Sequence, residues 1–371
     1  RITMEKKTDF FKLDYFLILI TAVCCVFGLV VISSAVKSLD SSQKYVIVQS
    51  GAFAIGFIAM IVAAEIDYSR YGEWAKYIYI ICILMLGATL VFGTGKEESG
   101  AKSWIRFGAI GIQPSEIVKI GFIITFAKHL SMVKNVNTKR NLFALILHLI
   151  PIAGLIMLQP DLGTTMVFMC IFAGMIFVAG ISYKLIAAAA VCIGTAIPIV
   201  WKFFLQPYQK SRIIVFFNPE SDPLGDGYHV VQSKIAIGSG RIFGKGLFKG
   251  TQTQLGFVPA KHTDFIFAVI GEELGLIGCM AVIALLFTLV VRCIYVSNSS
   301  KDKFGRYICV GVAFMFMAHI FENIGMCIGL MPVTGIPLPF FSYAGSSLVT
   351  NLIAIGLVLS VQKRSRTISL Q

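Results

Sequence analysis

The sequence predicts an all-α polytopic membrane protein. It has about ten transmembrane helices, both termini cytoplasmic, and one long extracytoplasmic loop with surface helices. Three observations carry this. Hydrophobic residues are 57% of the 371 residues and charged residues 14%, against roughly 25% charged in an ordinary globular chain. The mean hydropathy is +0.82. The apolar residues also fall in runs close to the roughly 20 residues that cross a bilayer core.

The runs lie at about 15–36, 46–66, 74–92, 115–131, 142–159, 164–181, 184–205, 274–296, 307–331 and 346–362. The first is too long for a cleaved signal peptide, and no small-residue cleavage site precedes a soluble domain. The chain therefore reads as one integral-membrane domain over 1–371, with a loop at 206–264 between the seventh and eighth spans.

Orientation follows from lysine and arginine in the short loops. Lys6, Lys7 and Lys12 precede the first span, and Arg70 and Lys76 follow the second. Lys128, Lys134, Lys139 and Arg140 follow the fourth, Lys184 the sixth, and Lys301, Lys303 and Arg306 the eighth. Lys363, Arg364 and Arg366 close the chain. Both termini and the even-numbered loops are thus expected inside, and the odd loops outside. The net charge of +13 is explained by this pattern. With no long basic run and no zinc-finger spacing, nucleic-acid binding is excluded as the reading of that charge. The nine cysteines all lie in or at the ends of apolar runs without metal-ligand spacing, so they read as small core residues.

Three outer segments are rich in turn residues. The first, 93–116, turns apolar around Trp104, Ile105 and Phe107, as a segment at the membrane surface would. It ends in Gln113-Pro114-Ser115-Glu116, a helix start. In the long loop, Tyr228, Val231 and Ile235 have the spacing of an amphipathic surface helix. Its glycines do not form a phosphate loop: Ser239, Phe243 and Gly246 stand where the two common fingerprints need other residues. The third segment, 331–347, holds three prolines and two glycines. It reads as a re-entrant turn, tolerated at membrane depth only when buried in protein or lining a wet cavity.

Ionisable groups at membrane depth are costly, so each needs a partner or a role. Glu116 and Lys119 share a helix face, either as a salt bridge holding the helix or as the lining of a polar cavity. Asp161 sits at an outer helix end, as a cap or a cavity residue. Asp264 lies where a polar loop meets an apolar helix, as an N-cap or as a base whose pKa is raised by desolvation. Glu272 and Glu273 read as structural. His319 and Glu322 read as a polar tie between helices, and His129 and His148 as interface residues. No His/Asp/Glu set has metal-site spacing, and no nucleophile-elbow motif occurs.

These residues resemble, in order along the chain, the SEDS family of shape, elongation, division and sporulation proteins. The matching strings are Gln113-Pro114-Ser115-Glu116 with Lys119, and Gln159-Pro160-Asp161-Leu162-Gly163-Thr164. They continue with Asp222-Pro223, Gly227-Tyr228, Gln232-Ser233 and Ile235 to Gly240. His262-Thr263-Asp264-Phe265-Ile266-Phe267-Ala268, Glu272-Glu273-Leu274-Gly275 and the segment from Gly329 to Ser342 complete the set. The string at Gly250–Leu255 is more similar to the RodA elongation branch than to the FtsW division branch. Four positions depart from the family pattern: Ser103, Arg241, Ala260 and Ala344, with Arg241 standing where glycine is common.

The resemblance implies a peptidoglycan glycosyltransferase in the bacterial cytoplasmic membrane, its site facing outward. It would polymerise lipid II during elongation and shape maintenance and release undecaprenyl diphosphate. Asp264 corresponds to the family's catalytic aspartate. Joining a GlcNAc 4-hydroxyl to the C1 of MurNAc inverts an α-linked diphosphate to a β-1,4 bond, so one displacement with one general base suffices. The departing diphosphate needs positive charge, for which Lys119, Arg212, Lys245 and Lys261 are candidates, a divalent cation (Mg or Mn) being an alternative. Glu116, Asp161, His262, Thr263 and Ser342 complete the expected substrate site. The resemblance also implies a class B penicillin-binding protein as transpeptidase partner, with other elongation-complex membrane proteins. A lipid II flippase and a non-catalytic scaffold are the competing classes. The outer clustering of the matching strings, and the absence of two related halves, favour surface chemistry over transport.

Overall fold

The computed structural model describes residues 13–95, 103–107, 110–203, 205–223 and 225–365. Lys6, Lys7, Lys12 and Arg366, used above for orientation, lie outside the described residues.

The helices in chain order are α1 (Tyr15–Ala35), α2 (Ser42–Glu65), α3 (Tyr68–Glu73), α4 (Ala75–Phe92), α5 (Pro114–Met132), α6 (Lys139–Leu158), α7 (Leu162–Val178) and α8 (Tyr183–Phe203). The long loop holds α9 (Pro207–Phe217), α10 (Asp226–Ser239) and the short α11 (Thr251–Gln254). Three more spans follow: α12 (Ile266–Asn298), α13 (Lys303–Ile328) and α14 (Gly345–Ser365). Every expected span coincides with a helix. Among the described residues, eight helices are long and apolar enough to cross a membrane, and α7 is a shorter apolar one. α5 carries Glu116, Lys119 and Lys128 and so falls outside that apolar class.

Two details differ from the all-helical expectation. Ile105–Phe107 (β1) and Ile110–Ile112 (β2) form an antiparallel hairpin in the first outer segment, Ile105 facing Ile112. In α10 the packed positions are Gly227, Val230, Ser233 and Ala236, while Val231 and Ile235 are exposed. The helix is present as expected, but its conspicuous apolar stripe faces away from the bundle. Seven cysteines are buried as expected; Cys170 is half-buried, and Cys192 is exposed on α8, which buries none of its residues.

α13 is the hub of the bundle. It packs against α12, α7, α5 and α14, while α2 pairs with α14 and α4 with α5. Lipid offers no hydrophobic drive for helices to associate, so close backbone approach and polar ties decide the packing. Two glycines show how close the approach is. A Cβ on Gly28 of α1 would stand 2.1 Å from the Phe340 carbonyl oxygen. Gly275 breaks α12 with φ 66° and ψ −161°, and a Cβ there would meet Gly244 N at 2.4 Å. That backbone region is essentially reserved for glycine. The break lets the 241–246 strand of loop pair with the helix: Leu276 N donates to Arg241 O and Lys245 N to Glu272 O.

The segment between α13 and α14 begins at Gly329, with φ 76°, and folds back into the protein. Val333, Ile336, Leu338, Phe340 and Phe341 are buried. Its backbone groups find side-chain partners, which is how an irregular segment survives away from water. This segment positions the site.

Candidate active site

Pro114 occupies the first turn of α5, where its missing N–H costs nothing. The helix it starts carries Glu116 and Lys119 one turn apart on the buried face. Lys119 Nζ lies 2.8 Å from Glu116 Oε1 and 2.6 Å from His319 Nε2 of α13. His319 Nδ1 is 3.2 Å from the Pro337 carbonyl. A carbonyl only accepts and an ammonium only donates, so Nδ1 carries the proton and Nε2 accepts from Lys119. Glu116 Oε2 and Glu322 Oε2 are buried without a hydrogen-bond partner among the described residues, with Ser347 and Thr334 beside them. Glu322 and Asp161 are both within electrostatic reach of Lys119.

Asp161 caps α7: Oδ1 accepts from Thr164 N at 3.0 Å and Oδ2 from Thr164 Oγ1 at 2.8 Å. Gln113 Nε2 also donates to it at 3.3 Å. Burial raises its pKa, opposed by the Thr164 bonds and Lys119. Both open readings of Asp161 thus hold at once: it is a cap, and it borders the charged cluster. The surface helix α9 is docked here, with Tyr208 OH and Gln209 Nε2 both donating to the Pro160 carbonyl.

Asp264 caps nothing. The residue preceding α12 is Phe265, and no side chain caps the helix. The backbone around Asp264 is held firmly instead. Asn323 Nδ2 donates to the Asp264 carbonyl and to the Ile336 carbonyl, each at 2.8 Å. Ser342 Oγ donates to the Thr263 carbonyl at 2.6 Å and accepts from Leu338 N at 2.8 Å. Tyr343 N donates to the His262 carbonyl. The carboxylate itself has no hydrogen bond among the described residues, and burial pushes its pKa up to about 6, with Arg212 pulling the other way. The result is a carboxylate on a fixed backbone, free to accept a proton near neutral pH.

The other expected site residues divide. Arg212 faces this region, stacked over Tyr208 and lining a small cavity of about 10 Å³ with Pro332 and Val333. Lys245 is not in the cluster: its Nζ donates to Glu272 and Thr251, each at 2.7 Å. Lys261 is buried and donates to Ser38 Oγ and the Thr253 carbonyl; burial lowers its pKa. The His262 ring packs against Tyr45 and Tyr343, its pKa lowered by burial and by Lys261. Thr263 Oγ1 turns back to the Ala260 carbonyl at 3.2 Å. Lys245, Lys261, His262 and Ser342 thus hold the loop that presents Asp264. Among the described residues no cluster of three or more His, Cys, Asp or Glu has the geometry of a metal site. Asn323 was not singled out by sequence; a neutral amide beside Glu322 in a buried span was the only signal for it.

The family model described as cell cycle protein, covering FtsW, RodA and SpoVE, matches residues 14–367. The chain belongs to the FtsW/RodA/SpoVE family. It is 40% identical over 98% of both chains to Peptidoglycan glycosyltransferase MrdB of Escherichia coli. It is 38% identical over 95% of its length to Stage V sporulation protein E of Bacillus subtilis, covering 98% of that protein. Among solved structures it resembles a chain of a peptidoglycan synthase complex that coordinates polymerization and crosslinking, with TM-score 0.83, 28% identity, and 96% and 99% of the two chains covered. It also resembles the rod shape determining protein RodA of Thermus thermophilus, with TM-score 0.71 and 27% identity over 96% and 98% of the chains. Two departures of this FtsW/RodA/SpoVE chain from the family pattern have a visible backbone consequence. Arg241 and Ala260 have φ of 53° and 46°, the left-handed region that disfavours side chains. Glycine is the unstrained residue at position 241.

Proposed function

We propose that this protein polymerises lipid II into β-1,4 glycan strands at the outer leaflet of the bacterial cytoplasmic membrane, in the elongation machinery that maintains cell shape. It is a multi-pass membrane protein and a peptidoglycan glycosyltransferase, like its named relatives. The observation that carries the residue assignment is the Asp264 carboxylate: fixed backbone, no hydrogen bond among the described residues, and a pKa near 6. In this reading Asp264 takes the proton from the acceptor 4-hydroxyl as oxygen attacks C1 of the donor. The C1–O bond to the diphosphate breaks in the same inverting step, and undecaprenyl diphosphate leaves.

Lys119 and Arg212 supply the cation field for that diphosphate, with Glu116 and Asp161 setting the position of Lys119 and of sugar hydroxyls. Lys245 and Lys261 are assigned to loop architecture. A divalent cation, if it takes part, would have to be held by substrate phosphates together with isolated carboxylates such as Asp161, since no preformed cluster is present among the described residues. A class B penicillin-binding protein is the proposed partner, supplying the cross-linking reaction.

The test is labelled lipid II in detergent with the purified protein, alone and with its cognate penicillin-binding protein. A moenomycin-resistant ladder of glycan strands supports the transferase. No ladder, with lipid II crossing liposome leaflets, would move the assignment to transport. No ladder and no transport, with partner stimulation retained, would leave a scaffold.

A further inference from the structure

The mechanism leaves two buried side chains of the cluster unused, Glu322 and His319. His319 is fully buried on α13, the hub helix, and touches two parts of the site, α5 and the folded-back segment. One ring nitrogen accepts from Lys119 of α5; the other donates to Pro337 in the folded-back segment. That segment is the same one that holds Asp264: Ile336 shares Asn323 with the Asp264 carbonyl, and Leu338 reaches the Thr263 carbonyl through Ser342.

Lys119 has competing partners. Glu116 holds Nζ directly, and Asp161 and Glu322 also act on it through space. An ammonium surrounded by three carboxyl groups has several low-energy positions unless a neutral acceptor fixes its direction. A lysine on a four-carbon stem is especially free to choose. His319 Nε2 is that acceptor, and its direction is set by the Nδ1–H bond to a backbone carbonyl.

We propose that His319 is a positioning residue for glycosyl transfer, fixing the Lys119 cation relative to the folded-back segment that holds the Asp264 backbone. This rests on the transferase reading above. Charge on the departing diphosphate grows in the transition state, so a misplaced Lys119 lowers kcat more than it raises KM.

The experiment is a set of four variants assayed for lipid II polymerisation, each checked for monodispersity and thermal unfolding in detergent. His319→Gln can reach both partners, accepting from Lys119 and donating to Pro337. His319→Asn keeps a donor for Pro337 but is too short for Lys119. Lys119→Met and the double variant Lys119→Met with His319→Asn complete a cycle. The expected result is that His319→Asn loses at least about tenfold in kcat with KM within about twofold, and that His319→Gln recovers most of it. In the Lys119→Met background, His319→Asn is expected to cost nothing further. Full activity of His319→Asn would overturn the proposal, as would independent, multiplicative losses in the double variant. Equal loss in Asn and Gln, tracking their melting temperatures, would also overturn it by showing a packing role alone. If the wild-type protein makes no glycan under any condition, the transferase reading fails first. The His319–Lys119 link is then judged by the unfolding data alone: non-additive shifts in the cycle uphold it, and additive shifts overturn it.

Discussion

Glu272 and Glu273 on one side, and the half-buried Asp264 with the buried Glu116 cluster on the other, are acids withdrawn from solvent. Their surroundings are opposite. Glu272 accepts from Lys245 Nζ, Gln252 N and Thr253 N at 2.7, 2.8 and 2.8 Å. Glu273 accepts from Ser34 Oγ, Gln254 Nε2 and Phe248 N at 2.7, 3.1 and 3.1 Å. Every oxygen is occupied, and all of these donors except Ser34 of α1 belong to the loop that folds over the broken helix α12. Asp264 has no hydrogen bond to its carboxylate among the described residues, and Glu116 and Glu322 each retain a bare oxygen. A buried acid with all its bonds made holds structure, because removing it orphans several donors. A buried acid kept unpaired costs the fold free energy and is retained where chemistry needs it.

The largest expected effect separates the two regions by kind of damage. Asp264→Asn should reduce polymerisation by about 10³-fold, the middle of the range for a lost general base, while unfolding is unchanged or shifted to higher temperature. The direction of the stability effect follows from the raised pKa. The folded protein binds the Asp264 proton more tightly than the unfolded chain, so its contribution to stability falls as pH rises from about 4 to about 6 and stays low above that. Removing the charge removes that cost near neutral pH.

Glu273→Leu should do the reverse. It leaves Ser34 Oγ without an acceptor and takes one acceptor each from Phe248 N and Gln254 Nε2, which keep Ser34 Oγ and the Ser34 carbonyl, so a loss of about 1–3 kcal/mol is expected, read as a lowered melting temperature and faster proteolysis at 245–254. Activity should fall only as far as folded protein is lost. If Glu273→Leu melted like the wild type, the distinction drawn from hydrogen-bond occupancy would break. Gly275→Ala attacks the same loop–helix contact through the backbone. The φ of 66° and the 2.4 Å approach to Gly244 N predict a loss of about 2–3 kcal/mol.

The pH profile sharpens the catalytic side. Asp264 must be ionised to act as a base, so kcat/KM should rise with pH, level off above about 6, and fall tenfold per unit below. A profile flat from pH 5 to 8 in the wild type would remove Asp264 as the titrating base. The smallest expected effect is a gain: Arg241→Gly relieves a left-handed arginine and should stabilise by about 0.5–1 kcal/mol, seen as a modest rise in melting temperature.

Much of this was legible in the sequence, for physical reasons that differ by region. The ten spans could be read because lipid makes hydropathy nearly sufficient. Gln113-Pro114-Ser115-Glu116 marked the start of α5 because helix termini have their own chemistry. The Asp161 cap was legible for the same reason. Three things were not. The packed face of α10 was hidden because its buried positions include Gly227, Ser233 and Ala236, small residues that carry no hydrophobic signal. The apolar Val231 and Ile235 pointed the wrong way. The split among the candidate cations also escaped: Lys245 and Lys261 look like Lys119 in sequence, and only partners such as Glu272, 27 residues from Lys245, and Ser38, 223 residues from Lys261, reveal them as loop anchors. The polar tie expected of His319 is present, to Lys119 of α5, but Asn323 and the second bond of His319 act on backbone carbonyls of the folded-back segment, and no periodicity reports a side chain's bond to a distant carbonyl.

The most direct test of the central claim, that the unpaired carboxylate is the working one, is the initial rate of lipid II polymerisation by Asp264→Asn near neutral pH, measured on protein whose melting temperature is recorded in the same preparation. The account predicts loss of glycan synthesis with melting at or above the wild-type temperature. Synthesis at the wild-type rate by the folded variant would contradict it.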